Sequence, residues 1–270
     1  MKFQGKTALV TGASRGIGRA IAHELARQGV AKILLVARDP HRLAEVATEI
    51  AYLDAEAVVL PLDLAEPVIV NVAIAQAWQQ HGPIHLLVNC AGVAYQAPFL
   101  QTRLPHVQTE IATNLVGLYT VTRLVARRMA SRRDGSIVNV SSLMGKVAAP
   151  TMATYSATKF AILGFTQALR NELAPYNVRV MALLPSLTDT DMVKDFQWFR
   201  WVQPATPEQV AQALVRGLER GTPEILVDWQ SQMALWCQRL APWLLDRVVR
   251  MAAPLPNRPL PLQEPGVSFR

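Results

Sequence analysis

The chain has 270 residues, of which 51% are hydrophobic and 17% charged, a composition that supports a large core and excludes a disordered protein. Its net charge is +7 without a dense run of Lys and Arg, so we expect no nucleic acid, while an anionic cofactor or membrane face stays open. Two cysteines exclude a disulfide framework, and the five histidines show no ligand-like pairing, so we expect no metal.

Short apolar runs alternate with helical periodicity over the first two thirds of the chain. Strands are predicted at Thr7–Val10, Ile33–Val36, Val58–Leu60, Ile84–Val88, Ile137–Val140 and Val178–Leu184. Helices are predicted from Ile17 to Gly29 and at Pro40–Tyr52, Pro67–His81, Ile111–Ala130 and Tyr155–Leu173. This alternation predicts an α/β fold, a doubly wound parallel sheet with helices on both faces and a ligand site beyond the carboxyl ends of the strands.

The order changes after Pro185. An irregular aromatic stretch, Asp189–Gln203, precedes a helix at Pro207–Arg220 with Thr206 as its N-cap, and Glu224–Val227 is a candidate last strand. We therefore expect one catalytic domain over residues 1–228 and an amphipathic, then proline-rich, tail over residues 229–270.

A glycine-rich loop, Thr11–Gly18, follows the first strand and opens the first helix. Its glycines permit a tight turn, and the helix N-terminus then faces a pyrophosphate. The predicted cofactor-binding residues of this loop are Gly12, Ser14, Arg15, Gly16, Ile17 and Gly18.

The end of the second strand predicts which nicotinamide cofactor binds. An acid there holds the ribose hydroxyl of NAD, whereas an arginine accommodates the 2′-phosphate of NADP. Here Ala37 occupies the position of the acid and Arg38 follows, with Arg15 within reach; Asp39 would need a shift of one residue to act as the acid. We therefore predict NADP(H).

Tyr155 and Lys159 lie four residues apart, on one face of a predicted helix. A nearby ammonium favours the phenolate, so we expect Lys159 to lower the pKa of Tyr155 and make it a general acid or base. Ser142 and Asn89 lie at the ends of two other strands, and Asn114 lies inside a long helix, where it needs a reason.

Together these segments resemble the short-chain dehydrogenase/reductase family over about residues 5–228. The segments that carry the resemblance are Thr11–Gly18, Asp63-Leu64, Asn89–Gly92, Asn114, Ile137–Ser142, Tyr155–Lys159 and Pro185–Thr190. The resemblance implies a Rossmann-type sheet of about seven strands and hydride transfer between nicotinamide and a carbonyl or alcohol. It also implies a homo-oligomer, a dimer or tetramer, in which adjacent long helices pair across a two-fold axis.

The resemblance also implies roles for individual residues. Tyr155 would donate or accept the proton, and Lys159 would hold the nicotinamide ribose and tune Tyr155. Ser142 would hold the substrate oxygen, and Asn114 would support a proton path through Lys159. The further implied cofactor contacts are Asp63 at the adenine, Thr190 at the carboxamide or phosphates, and Leu64, Asn89, Ala91, Gly92 and Pro185. Two residues depart from the family pattern: Cys90 replaces an Asn, and Ser186 replaces a Gly.

Three variable segments would surround the substrate: Val93–Leu100, Leu143–Met152 and Leu187–Gln203. The last is rich in aromatic residues, which favours a mobile lid over a hydrophobic ketone, alcohol or aldehyde. Packing of these aromatics in a subunit contact or in the core is the alternative.

The tail repeats tryptophan every seven residues, at Trp229, Trp236 and Trp243, and Pro242 should break this helical stripe. Tryptophan with arginine suits both an oligomer interface and a membrane interface, and we favour packing against the body or a partner subunit. With no signal region and no run long enough to span a bilayer, we expect a cytoplasmic protein, with membrane association through the tail as the open alternative.

An NADP(H)-dependent oxidoreductase is therefore the predicted function. The alternatives are a non-catalytic NADP-binding regulator and a membrane-surface adaptor on the same fold. The complete set of Ser142, Tyr155 and Lys159 argues against a pure binder. No substrate domain follows the cofactor domain, which disfavours a nucleotide-sugar epimerase.

Overall fold

The computed structural model describes residues 2–254. The prolines of the tail at positions 256, 259, 261 and 265 lie outside the described residues. None of the helices between residues 2 and 254 has the length and apolar character that crossing a membrane requires.

Seven parallel strands form one sheet in the order β3-β2-β1-β4-β5-β6-β7. The strands are β1 Thr7–Thr11, β2 Lys32–Ala37, β3 Glu56–Pro61, β4 Leu86–Asn89, β5 Gly135–Val140, β6 Val178–Leu184 and β7 Glu224–Leu226. The predicted doubly wound sheet of seven strands is confirmed. The strand order reverses between β1 and β4, the point at which open α/β sheets bind ligands.

Nine α-helices connect and extend the strands within the described residues. They are α1 Gly16–Arg27, α2 Pro40–Ala51, α3 Pro67–His81, α4 Leu104–Ile111, α5 Leu118–Arg132, α6 Ala153–Leu173, α7 Pro207–Arg220, α8 Trp229–Leu240 and α9 Pro242–Ala252. Short 3-10 turns occupy Phe99–Gln101, Leu143–Gly145, Ala174–Tyr176 and Asp191–Val193.

Two hydrophobic cores form because successive strand residues point to opposite faces of the sheet. Ile33 and Leu35 belong to one core, which α1, α2 and α7 cover. Leu34 and Val36 belong to the other, which α3 and α5 cover. All four side chains are fully buried, so the sheet is shielded on both faces and leaves its carboxyl edge for the site.

The helix predicted at Ile111–Ala130 differs from the observed structure. Residues Ala112–Gly117 form a π-helical turn between α4 and α5, and the helical region starts earlier, at Leu104. A π-turn inserts one extra residue into the helix and is frequent at functional sites. Here it carries Asn114, whose side chain is fully buried.

The favoured prediction was that the tryptophan stripe packs against the body or a partner subunit; the stripe does not pack on the body, and packing against a partner subunit stays a prediction. The helix ends at Leu240 and a new one begins at Pro242, as a proline requires. Trp229, Trp236 and Trp243 are 69%, 59% and 66% exposed, because the opposite faces of α8 and α9 are the ones that pack on the protein.

Candidate active site

A cavity of about 700 Å³ lies beyond the carboxyl ends of the strands. The predicted site residues line it, except Asn89 and Asn114. It extends from the glycine-rich loop, past the ends of β2, β4 and β5, to the aromatic segment of residues 187–203 and the two tail helices, α8 and α9. This shape provides one long site with an anion-binding end and an apolar end.

The glycine-rich loop is shaped by contacts that only glycine permits. A Cβ on Gly18 would lie 2.1 Å from the carbonyl oxygen of Gly12. Gly12 has a φ of +71°, and a Cβ there would lie 2.8 Å from the backbone of Ala91. The loop therefore folds tightly against the end of β4 and aims the N-terminus of α1 into the cavity, where backbone N–H groups bind phosphate.

The end of β2 carries positive charge into the cavity. Asp39, the alternative ribose acid, is the N-cap of α2 and accepts hydrogen bonds from the backbone N–H groups of His41 and Arg42. Arg38 lines the cavity and makes no ion pair with any residue between 2 and 254. Its guanidinium is therefore available to a ligand anion.

Arg42 also lines the cavity, and the sequence reasoning missed it. Its Nη1 lies 3.3 Å from Oδ2 of Asp191, and the corresponding atom of Arg15 lies 3.7 Å from the same oxygen. The hydrogen bond from Lys194, followed by the charge of Arg15 and the hydrogen bond from Arg42, keeps the pKa of Asp191 below its usual value. Arg42 is the third residue of α2 and lies about one helical turn after Arg38. This spacing was the sequence signal from which its place in the site could have been predicted.

The predicted catalytic side chains meet at the ends of β5 and α6. The Lys159 Nζ donates a 3.0 Å hydrogen bond to the carbonyl oxygen of Val140 and lies 5.4 Å from the centre of the Tyr155 ring. The backbone N–H of Met144 donates to the Ser142 hydroxyl over 3.1 Å, which fixes that side chain at the strand end. The Ser142 hydroxyl donates a 3.4 Å hydrogen bond to the carbonyl oxygen of Pro185, and its effect on Tyr155 lowers the pKa of that phenol.

The pKa of Tyr155 contradicts the expectation that Lys159 lowers it. Burial raises the pKa of Tyr155 to about 12, and the hydrogen bond with Ser142 only partly offsets this rise. Burial also lowers the pKa of Lys159 from 10.5 to about 8. At neutral pH the site therefore holds a protonated phenol beside an ammonium group that is close to losing its proton.

Asn114 lies inside a helix because its side chain binds the segment that follows β4. Its Oδ1 accepts a 2.8 Å hydrogen bond from the Val93 N–H, and its Nδ2 donates to the Val93 carbonyl oxygen and to the Thr158 hydroxyl. A Cβ on Gly92 would lie 3.3 Å from Asn114 Oδ1 and 3.6 Å from Lys159 Nζ. Asn114 thus joins the β4 loop to α6 behind the catalytic group rather than lining the cavity.

Asn89 lies in a buried polar network beneath the site. Its Nδ2 donates to the Thr122 hydroxyl and to Oδ1 of Asn139, each over 2.8 Å, and Asn139 in turn donates to Thr166. The structure therefore places the Asn89 side chain away from the predicted cofactor contact, among groups that hold β4, β5, α5 and α6 together.

The structure shows what surrounds the two residues that depart from the family pattern, Ser186 and Cys90. The Ser186 hydroxyl donates to the carboxylate of Asp228, the N-cap of α8, and so ties the end of β6 to the first tail helix. Burial raises the pKa of the Cys90 thiol to about 12, so this side chain is neutral and takes no part in acid–base chemistry near neutral pH.

The apolar end of the cavity is built by segments that are distant in sequence. The aromatic segment, residues 187–203, contributes Phe196 and Trp198, and it is tied down by paired hydrogen bonds between Gln96 and Gln197. The inner faces of α8 and α9 complete the wall; their lining residues are Gln230, Ala234, Leu245, Val248, Val249 and Ala252. Sequence reasoning gave these tail residues no place in the site, although the amphipathic pattern indicated that one face packs inward.

Comparison with known proteins agrees with this geometry. The family model described as short chain dehydrogenase matches residues 6–200. The ketoacyl reductase HetN of Nostoc sp. is 31% identical, over 91% of this chain and 88% of its own length. The 2,3-dihydro-2,3-dihydroxybenzoate dehydrogenase of Bacillus subtilis is 34% identical, over 82% of this chain and 83% of its own.

A solved structure is similar over nearly the whole described chain. The short-chain dehydrogenase of Burkholderia cenocepacia, crystallised in complex with NADP, has a TM-score of 0.81 and 28% sequence identity. The match covers 94% of this chain and 100% of that one. The chain therefore belongs to the short-chain dehydrogenase family and is an NAD(P)-dependent oxidoreductase that acts on carbonyl or CH–OH groups.

Proposed function

We propose that this protein is an NADP(H)-dependent oxidoreductase that transfers hydride reversibly between the nicotinamide and a carbonyl or alcohol of a hydrophobic substrate. The observation that carries the proposal is the junction of Ser142, Tyr155 and Lys159 with a long cavity that carries three arginines at one end and is apolar at the other. NADP(H) would supply the hydride, and the chain supplies binding, orientation and the proton.

The preference for NADP(H) over NAD(H) rests on charge at the end of β2. A ribose acid is missing because Ala37 ends the strand and Asp39 caps α2. Arg38 and Arg42 line the cavity there, and Arg15 reaches it from the glycine-rich loop. Guanidinium groups bind phosphate oxygens through charge-assisted hydrogen bonds, so they favour the cofactor with the extra 2′-phosphate. The NADP in the Burkholderia cenocepacia structure supports the same choice.

In the direction of reduction, Ser142 donates a hydrogen bond to the substrate oxygen and Tyr155 gives it a proton. The raised pKa of Tyr155, about 12, keeps the phenol protonated at neutral pH, which suits the acid role. Lys159, with a pKa of about 8, still carries most of its charge at pH 7 and stabilises the negative charge left on the phenol oxygen. The protonated phenol is therefore the form that can act as the acid in the direction of reduction near neutral pH.

The substrate class follows from the apolar end of the cavity. Among the lining residues after Val193, the one charged side chain within the described chain is Arg200. The rest of that wall is aromatic or aliphatic and includes Phe196, Phe199 and Val249. An ionised substrate would lose its hydration there with Arg200 as the one charged side chain of the described lining able to compensate, whereas an apolar chain or ring would lose none. The named activities of the two relatives concern different substrates, so the proposal rests on the lining of the cavity.

The aromatic segment closes over this end as a lid. Its attachments in the structure include the Gln96–Gln197 pair, a 2.9 Å hydrogen bond from the Arg200 N–H to the Ala252 carbonyl oxygen, and the ion pairs of Asp191 with Arg15 and Arg42. Hydrogen exchange in residues 187–203 should be fast in the free protein and slow with NADPH and a ketone inhibitor. Strong protection in both states would mean a fixed wall.

A homo-oligomer built on α5 and α6 is part of the proposal. Tyr119 on α5 is 54% exposed and Phe160 on α6 is 44% exposed, and Tyr119 contacts the ring of Phe165. An exposed aromatic patch shared by two long helices fits a two-fold contact. Light scattering at micromolar concentration should give a dimer or tetramer mass; a monomer would contradict it. We place the oligomer in the cytoplasm, which cell fractionation tests.

The substrate experiment compares matched carbonyl compounds. NADPH oxidation should be fastest with long-chain or polycyclic ketones, and a terminal carboxylate on the same skeleton should lower kcat/KM by about tenfold or more. Arg200→Gln should not reverse that order. Equal rates with the charged and uncharged ketones would contradict the proposal of a hydrophobic substrate but not the oxidoreductase activity.

A further inference from the structure

The outer face of α8 is an exposed apolar stripe. Trp229, Met233, Trp236 and Leu240 follow one another at helical spacing and are 59% to 77% exposed. Apolar side chains of this size are seldom left in water in a continuous row unless they bind something.

The stripe continues on α9, where arginines are interleaved with apolar side chains. Trp243 and Met251 are 66% and 57% exposed, and Arg247 and Arg250 lie on the same side of the helix. Neither arginine, nor Arg239 on α8, makes an ion pair within residues 2–254. The surface therefore combines tryptophan, aliphatic side chains and unpaired positive charge.

The inner faces of the same two helices are walls of the cavity. Val248 belongs both to the cavity wall and to the outer surface, since it lines the cavity and is 40% exposed. Ala234 on α8 and Val249 on α9 extend the apolar lining inward from this position. The stripe thus adjoins the apolar end of the cavity and not the end that carries Arg38.

We propose that the outer face of α8 and α9, hereafter the tail surface, binds the surface of an anionic lipid bilayer and presents the apolar end of the cavity to its acyl chains. Tryptophan and aliphatic side chains would enter the headgroup boundary, and the three arginines would meet anionic headgroups. The proposal rests on the hydrophobic substrate proposed above and adds the source of that substrate: it enters from the membrane.

The charge of the tail surface favours an anionic bilayer over a second copy of the chain as its partner. A two-fold contact between two tail surfaces would gather six arginines in one interface against two copies of Asp246, the one acid on α8 or α9. Like charges are unfavourable there, whereas an anionic bilayer complements them. The aromatic patch on α5 and α6 is a separate surface for self-association.

Flotation with lipid vesicles tests the proposal. The full chain should float with phosphatidylcholine vesicles that contain phosphatidylglycerol, and less with phosphatidylcholine alone. The variant Trp236→Ser/Trp243→Ser should lower the affinity by about tenfold or more, and Arg247→Gln/Arg250→Gln by a similar factor on anionic vesicles only. As a matched control, Tyr52→Ser/Val68→Ser removes apolar side chains that are 84% and 76% exposed elsewhere; it should float like the wild type.

Activity in the absence of vesicles separates this proposal from the proposed function. Both tail variants should reduce a water-soluble ketone at the wild-type rate, since none of the four substituted side chains lines the cavity. With a ketone embedded in anionic vesicles, their rates should fall by about tenfold. Failure of the wild type to float, flotation unchanged by the tryptophan variant, or an oligomer mass that the tryptophan variant halves would each overturn the proposal. Loss of all activity with intact flotation would instead overturn the proposed function.

Discussion

Replacing Lys159 with Met tests how strongly the site perturbs its buried ammonium group. In the folded protein burial lowers the pKa of Lys159 to about 8 from an ordinary 10.5. Between these pH values the unfolded chain binds more protons than the folded protein, so the free energy of unfolding rises with pH. The cost of burying the charge is complete below pH 8 and disappears as the pH approaches 10.5.

The size of the effect follows from the two pKa values. One pKa unit corresponds to about 1.4 kcal/mol, and titration from pH 8 to pH 9.5 relieves about 1.5 kcal/mol of the cost. The wild type should therefore gain about 1.5 kcal/mol in unfolding free energy relative to Lys159→Met over this range. Tyr155 and Cys90 also titrate in the alkaline range, but they are present in both proteins and largely cancel in the difference.

The assay is urea unfolding of the cofactor-free proteins at pH 7, 8, 9 and 9.5, followed by tryptophan fluorescence with refolding as the check of reversibility. The free-energy difference between wild type and variant should change little from pH 7 to 8 and then shift in favour of the wild type. A difference that stays constant up to pH 9.5 would refute the idea that Lys159 is a buried cation with a lowered pKa.

Three further substitutions probe other parts of the site. Tyr155→Phe should lower turnover by at least about 100-fold, because the proton donor is lost, while NADPH titration by fluorescence stays near the wild type; near-normal turnover would contradict its role. Arg38→Ala should raise the dissociation constant of NADPH by about tenfold and leave that of NADH unchanged, and equal effects on the two cofactors would show that no 2′-phosphate contact exists. Asn114→Ala should lower the free energy of unfolding by about 2 kcal/mol, since it leaves the N–H and carbonyl groups of Val93 without partners. A calorimetric stability equal to that of the wild type would exclude this structural role.

Much of the fold could be predicted from local patterns because its strands are continuous apolar runs. The run Val178–Leu184 and the helix Pro207–Arg220 were predicted with the observed bounds. Thr206 was identified as an N-cap, and it forms a capping box with Gln209. Pro242 was expected to break or kink the tail helix, and α8 ends at Leu240 while α9 begins at Pro242. In each case a short-range signal decides the local structure.

The parts that could not be predicted depend on contacts between distant residues. The π-turn around Asn114 is fixed by hydrogen bonds to Val93 and Thr158, which no local pattern encodes. The burial that raises the pKa of Tyr155 depends on residues that are distant in sequence, so a rule based on spacing to Lys159 predicted the opposite direction. Which face of the tail packs inward was likewise settled by the cavity it completes.

The transfer of a hydride to a hydrophobic carbonyl compound is the most direct test of this account. Wild-type protein would be incubated with NADPH that carries deuterium at the transferable position and with a long-chain ketone, and the alcohol product would be analysed by mass spectrometry. The alcohol should carry one deuterium on the carbinol carbon, and Tyr155→Phe should form it at least about 100-fold more slowly than the wild type. Product without deuterium, or equal product from both proteins, would contradict this account.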